Sequence, residues 1–148
     1  MNRRMLLALL ALAGVFLALY LTLYKLGIIG TLACGNGSCE TVQLSRWATF
    51  AGIPVALWGV AYYVLVFIIA LAAVQERFAA SRGISLVLVL LTGWGVLFSA
   101  WLTYLELFVI HAICRWCIGS AVLALVLFLI ALSERWGVGQ GARGVDLE

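Results

Sequence analysis

Four long apolar runs alternate with short polar segments along the chain: Met5 to about Tyr24, about Ile53 to Val74, Ile84 to about Ile110, and about Ile113 to Leu132. Each reaches the roughly twenty residues an α-helix needs to cross a hydrocarbon layer about 30 Å thick. No run alternates with period two, so a membrane barrel is excluded and the spans must satisfy their backbones as helices. The single proline, Pro54, falls in the first turn of the second run, where its missing N–H costs nothing. Short connections make sequential helices antiparallel neighbours. The pattern therefore predicts an all-α membrane protein, a four-transmembrane-helix bundle with an extracytoplasmic loop between helices 1 and 2. Close helix approach is expected at Gly14 with Ala18, at Gly93 with Gly95, and at Gly119 with Ser120 and Ala121.

Composition agrees. Of 148 residues 66% are apolar and 10% charged, against about 45–50% and about 25% in ordinary soluble domains. Fifteen charged side chains, nine basic and six acidic, cannot clothe a soluble fold of this size. A soluble enzyme, a nucleic-acid-binding domain, a disordered tail and a small secreted disulfide module are all excluded. Arg3 and Arg4 resemble the basic start of a signal peptide, but the run that follows exceeds the usual apolar core of about 7–15 residues. Thr31 and Leu32 fit a lipoprotein-type cut before Cys34 poorly, so the first run is read as a span. Residues 1–148 form one transmembrane domain ending in a short polar tail, 133–148, whose Leu147 and Glu148 look like a cloning scar.

Charge sets the orientation. Arg3, Arg4, Arg77, Arg82, Arg135 and Arg143 fall on one side of the predicted bundle, and Lys25, Arg46 and Arg115 on the other. The richer side is expected to be cytoplasmic, which puts both termini inside and the first and third loops outside. All four cysteines then share the extracytoplasmic face.

Those cysteines carry the chemistry. Cys114-Arg115-Trp116-Cys117 is a C-x-x-C at a helix start, where two thiols share a face and unpaired N–H groups stabilise a thiolate. A thiolate is the attacking species in thiol–disulfide exchange. Cys34 and Cys39 flank Gly35-Asn36-Gly37-Ser38, a turn-prone stretch that predicts a mobile, solvent-reachable disulfide. Zinc is disfavoured because the pairs are far apart in sequence and lie on an oxidising face. Two permanent structural disulfides remain a rival, although a C-x-x-C opening a membrane helix is an odd place for a staple.

The sequence resembles the vitamin K epoxide reductase family, and most closely its bacterial branch. Three stretches carry the resemblance: Cys39-Glu40-Thr41-Val42-Gln43-Leu44-Ser45-Arg46-Trp47, Gly52-Ile53-Pro54-Val55-Ala56-Leu57-Trp58-Gly59, and Glu106-Leu107-Phe108-Val109-Ile110-His111-Ala112-Ile113 leading into the C-x-x-C. The resemblance implies a thiol:quinone oxidoreductase in a bacterial inner membrane that supports disulfide bond formation. Cys117 would face the quinone (ubiquinone, menaquinone or a vitamin K form), with Cys114 as its disulfide partner. Cys39 would exchange with Cys114, and Cys34 would receive electrons from a periplasmic thioredoxin-fold, DsbA-like protein. That partner would act in trans, since the chain shows no fused thioredoxin-like domain. Ser45, Trp47, Trp58 and Tyr62 match the family's quinone-pocket positions. The vertebrate hydrogen-bonding Asn and Tyr correspond to Val55 and Ala121, which puts epoxide reduction in doubt and leaves quinone reduction intact. No metal cofactor and no nucleic acid is implied.

Two smaller expectations and two rivals complete the reading. Glu106 and His111, near the outer end of the third span, are either proton relays or interfacial side chains, and the interfacial reading is preferred. Lys25 is expected to anchor at the interface. A DsbB-type oxidase is a rival with nearly the same biochemistry, but there the C-x-x-C precedes the wider pair. A metal transporter would need an intramembrane ladder of acidic or histidine ligands that the spans lack.

Overall fold

The computed structural model describes residues 2–28, 30, 38–78 and 81–146, with side chains described from 39 onward in the second block and up to Gly137 in the last. Its long helices are α1 (Arg3–Lys25), α3 (Val55–Val74), α4 (Arg82–Leu105) and α5 (Arg115–Asp146). A short helix α2 (Ser38–Leu44), a 3-10 turn (Arg46–Ala48) and a two-stranded hairpin lie between α1 and α3. The hairpin strands β1 (Thr49–Phe50) and β2 (Ile53–Pro54) pair antiparallel, Thr49 with Pro54 and Phe50 with Ile53. Four helical segments are long and apolar enough to cross a membrane, Arg3–Lys25, Val55–Val74, Arg82–Ile110 and Arg115–Gly137.

These limits adjust the sequence reading at the ends. Pro54 is not inside the second span but caps it, closing the hairpin with an extended ψ of 135°. The turn supplies the needed left-handed residues, Ala51 at φ 55° and Gly52 at φ 78°. The fourth helix starts at Arg115, one residue after Cys114, and runs on through the polar tail to Asp146. At the other starts the caps are polar: the Asn2 side chain accepts from the Arg4 N–H, and Ser81 Oγ accepts from the Ile84 N–H.

The spans form a ring in which α1 packs on α3, α4 on α5, and α1 on α5, with the sparsest contact between α3 and α4. Leu7, Ala11, Val66, Ala70, Leu88 and Leu127 form the centre of the core. Outside, Phe16, Leu90, Trp94 and Leu97 are each more than 60% exposed. Large apolar side chains on the exterior are what a lipid-facing surface requires and what a water-facing surface avoids. Two buried threonine hydroxyls turn back on their own helices: Thr92 Oγ1 donates to the Leu88 carbonyl at 2.6 Å and Thr22 Oγ1 to the Ala18 carbonyl at 2.8 Å.

The small residues do something other than let backbones touch. A Cβ on Gly14 would collide with the ring of Tyr63, one on Gly95 with the hydroxyl end of Tyr62, and one on Gly93 would lie 3.3 Å from Phe128. Each glycine on one helix thus receives an aromatic ring from another. Tyr63 also bonds Ser120 Oγ at 2.7 Å, joining α1, α3 and α5. Gly119 is exposed, and the nearest side chain to its missing Cβ, Leu17, is 3.8 Å away.

At the end away from the cysteines, Arg4 Nη1 donates to the Ala73 carbonyl at 2.7 Å and Arg4 Nε meets Glu134 Oε2 at 2.9 Å. This places the chain start, the end of α3 and the middle of α5 together, as antiparallel neighbours demand. Gly14→Ala should overpack the Tyr63 seat and destabilise the protein by about 1–3 kcal/mol. A thermal melt in detergent showing no loss would contradict this packing.

Candidate active site

Cys39 and Cys114, 75 positions apart, are both fully buried and belong to one cluster with Leu21 and Val42. Helix α2 makes this possible by laying its buried side chains over the end of the bundle. The sequence reading expected Cys39 on a mobile, exposed loop. Instead it is helical and buried, because Val42 and Gln43 share its face and fix that helix to α1 and α5. Lys25 contributes: its Nζ donates to the Gln43 carbonyl at 2.7 Å, a cation on the last turn of a helix, so it ties α1 to α2. Cys39 is disulfide-bonded, whereas Cys114 and Cys117 are free thiols. Cys34, the other predicted loop thiol, lies outside the described residues.

The helix start at Arg115 treats its two cysteines differently. The Cys117 N–H points at Cys114 Sγ, 3.4 Å away, so the free end of the backbone ladder serves Cys114. The Cys114 thiol is accordingly pulled below its ordinary pKa, first by the hydrogen bond from the Cys117 side chain and against the cost of burial. Cys117 sits on the next turn in, and its Sγ accepts a hydrogen bond from Gln43 Nε2 at 3.4 Å.

Glu106 corrects the interfacial expectation. It is only 3% exposed, its Oε2 accepts the Cys114 N–H at 3.2 Å, and it lines the same cavity as Cys117. The cause is a widened π turn over Glu106–Ile110, closed by His111 in the left-handed region at φ 57°. That reversal swings the chain directly into the C-x-x-C and keeps the carboxylate under it. His111 itself is exposed.

A cavity of about 420 Å³ opens beside Cys117. The four aromatic-and-hydroxyl positions singled out in the sequence, Ser45, Trp47, Trp58 and Tyr62, all line it, as do Gln43 and Glu106. Their polar atoms differ in commitment. Ser45 Oγ donates to the Val42 carbonyl at 2.7 Å and Trp58 Nε1 to the Phe50 carbonyl at 3.2 Å, which braces the 3-10 turn and the hairpin. Arg46 lies over the Trp47 ring, 4.9 Å from its centroid. The Tyr62 hydroxyl is buried and makes no hydrogen bond among the described residues. Below these groups the cavity follows the sparse α3–α4 seam to Leu65 and Leu91. Leu65 is the eleventh residue of α3, roughly 15 Å along the helix and so near the middle of a bilayer. Val55 also lines the cavity.

A slot with apolar walls, one reactive sulfur at its head and a long seam toward the bilayer centre fits a ring with a hydrocarbon tail. The model of the vitamin K epoxide reductase family matches residues 5–132. The chain belongs to the vitamin K epoxide reductase family. It is therefore an integral membrane oxidoreductase of the class that couples thiols to a quinone and works with thioredoxin-like partners. Sequence reasoning quoted Gln43 and Glu106 within family-like stretches but gave Gln43 no role. A polar residue at i+4 from a helical cysteine was the signal available for it, since such a pair shares one helix face.

An unpartnered buried hydroxyl costs roughly 1–3 kcal/mol. Tyr62→Phe should therefore raise the stability of the ligand-free protein by about 1 kcal/mol. Calorimetry or a detergent melt showing a loss would mean that the hydroxyl already has a partner.

Proposed function

We propose that this protein oxidises a thioredoxin-fold, DsbA-like partner and reduces a membrane quinone, in support of disulfide bond formation. The observation that carries the reading is the placement of Cys117 at the head of the cavity, with Cys39 and Cys114 together in the buried cluster behind it. In this scheme the partner's thiolate attacks the Cys34–Cys39 disulfide at Cys34, forming a mixed disulfide and releasing Cys39. Cys39 thiolate then attacks Cys114 in the oxidised Cys114–Cys117 pair, forming Cys39–Cys114 and releasing Cys117. The partner's second thiol resolves the mixed disulfide and frees Cys34, which attacks Cys39, re-forms Cys34–Cys39 and releases Cys114. The reduced Cys114–Cys117 pair passes two electrons and two protons to the quinone, which leaves as quinol. Ser45, Trp47, Trp58 and Tyr62 shape the pocket around the ring, and Tyr62 offers its unused hydroxyl to a quinone oxygen.

The positive-rich end, where Arg4 clamps Ala73 and Glu134, is the cytoplasmic one in this reading. The cysteines then face the periplasm of a bacterial inner membrane. An oxidising compartment maintained kinetically by a relay to quinone makes thiol oxidation the productive direction.

Quinone consumption by the purified protein, with dithiothreitol as donor, tests the scheme. Cys117→Ala should abolish turnover, whereas Cys34→Ala should keep part of it, because a small reductant bypasses the loop. Cys114→Ser should accumulate a mixed disulfide between the partner and the loop pair. A partner joined instead to Cys117, or no quinone consumed by the unaltered protein, would sink the relay and leave a scaffold with structural disulfides.

A further inference from the structure

We propose that Glu106 is the base that takes the proton of Cys117 as its sulfur attacks the quinone, and the acid that returns it to the quinone oxygen. The inference rests on the reading of Cys117 as the quinone-facing thiol and adds to it the group that moves the proton.

Four observations lead here. First, Cys117 receives none of the help that a helix start gives a thiolate, since its own N–H is directed at Cys114 Sγ. The negative charge of the reduced pair is therefore steered to Cys114, and Cys117 keeps its proton until something removes it. Second, Glu106 and Cys117 line the same cavity, and the carboxylate is held there by the backbone at the start of the C-x-x-C. Third, among the described residues no Lys, Arg or His lines that cavity, so no described cation fixes the carboxylate in its charged form. A buried carboxyl without a cation is free to change its protonation state, which is the property a proton carrier needs. Fourth, the Cys114 N–H holds Oε2 at 3.2 Å, which orients the carboxylate without satisfying all its acceptor sites.

The balance is complete. Glu106 accepts the thiol proton, Cys117 Sγ forms a bond to a ring carbon of the quinone, and the displaced electron pair reaches a carbonyl oxygen. That oxygen takes the proton from Glu106. Cys114 then attacks Cys117 Sγ, the S–S bond forms as the C–S bond breaks, and the ring leaves with the electron pair. The second oxygen takes its proton from solvent through the restored carboxylate, in place of the one Cys114 shed when it ionised. Gln43 Nε2, 3.4 Å from the same sulfur, stabilises the thiolate as it forms.

Other titratable groups face this site from each side. Cys114 comes from the turn before α5 and Cys117 from α5, Tyr62 and Tyr63 line the cavity from α3, and Tyr20 and Tyr24 of α1 pack against the cysteine cluster.

The test is a single turnover of pre-reduced protein with a short-chain benzoquinone, followed from pH 5 to 10 for the unaltered protein, Glu106→Gln and Glu106→Asp. The unaltered protein should lose rate at acid pH as Glu106 takes up a proton. Glu106→Gln keeps an acceptor for the Cys114 N–H but cannot carry a proton. It should react about 100-fold more slowly at pH 7, and the deficit should shrink about tenfold per pH unit as Cys117 ionises unaided. Glu106→Asp should restore part of the rate at pH 7. A Gln variant as fast as the unaltered protein, or slowed equally at every pH with no rescue by Asp, overturns the inference and points to a capping role alone. An unaltered protein lacking an acid limb also overturns it, even if the Gln variant fails to fold. An unaltered protein that reacts with no quinone overturns the functional reading itself, a result distinct from all of these.

Discussion

In hydrocarbon, a backbone N–H or C=O without a partner costs several kcal/mol, and that cost organises this molecule from its helix ends inward. Between the ends, every span satisfies itself. At the ends the ladder leaves groups over, and each has a local answer. Asn2 and Ser81 cap α1 and α4, and Pro54 brings no N–H to the start of α3. At α5 the answer is different in kind. The N–H of Cys114 goes to a carboxylate and that of Cys117 goes to a thiol. Closing the last helix thus places a titratable acid and two sulfurs in one hydrogen-bonded set.

The same constraint shapes the cavity. A ring of four helices with only thin contact between α3 and α4 leaves a seam, and aromatic rings seated on glycines hold it at a fixed width. Tyr63 fills the Gly14 seat and pins α3 to α1 and α5, while Tyr62 reaches across to Gly95 on α4. A β-carbon at either glycine would push a ring toward the space that the slot occupies. Above the seam, α2 and the hairpin form a lid whose polar atoms are largely spent on bracing it: Ser45 on Val42, Trp58 on Phe50, Lys25 on Gln43. A lid tied in this way can hold Cys39 against Cys114 without relying on the loop that precedes it.

What the sequence made legible was depth along the membrane normal, and what it hid was rotation about each helix axis. Twenty-residue apolar runs locate the spans, and the alternation of ends places Cys39 and Cys114 at the same level. The aromatic positions around the cavity were accessible through the family-like stretches. Glu106 was misjudged because its distance from the C-x-x-C puts it near a membrane boundary, where long side chains snorkel. A π turn changes the angle per residue, and no apolar periodicity announces it. Likewise, Cys39 follows a glycine-rich stretch that reads as loop, while Val42 and Gln43 beyond it supply a buried face too short to show a period. Gly14 and Gly95 read as sites of backbone approach because spacing alone cannot distinguish a neighbouring helix from a neighbouring ring.

Two cysteines three residues apart have unlike surroundings, and the difference matches their proposed duties. Cys114 is buried, accepts a backbone N–H and packs beside Cys39. Those conditions favour a thiolate that exchanges with another sulfur and exclude a bulky quinone. Cys117 lines the slot with Glu106, is touched by Gln43, and lacks the helix-end donor. It is suited to remain protonated until a ring arrives and then to give up its proton and its electrons together. If both thiols were equally ionised, the reduced pair would hold two adjacent negative charges in a low-dielectric site, at a cost of several kcal/mol. Sharing one charge toward Cys114, with the second proton handed to a neighbouring carboxylate only during the reaction, avoids that cost. The direction of electron flow then follows from which sulfur each neighbour can reach.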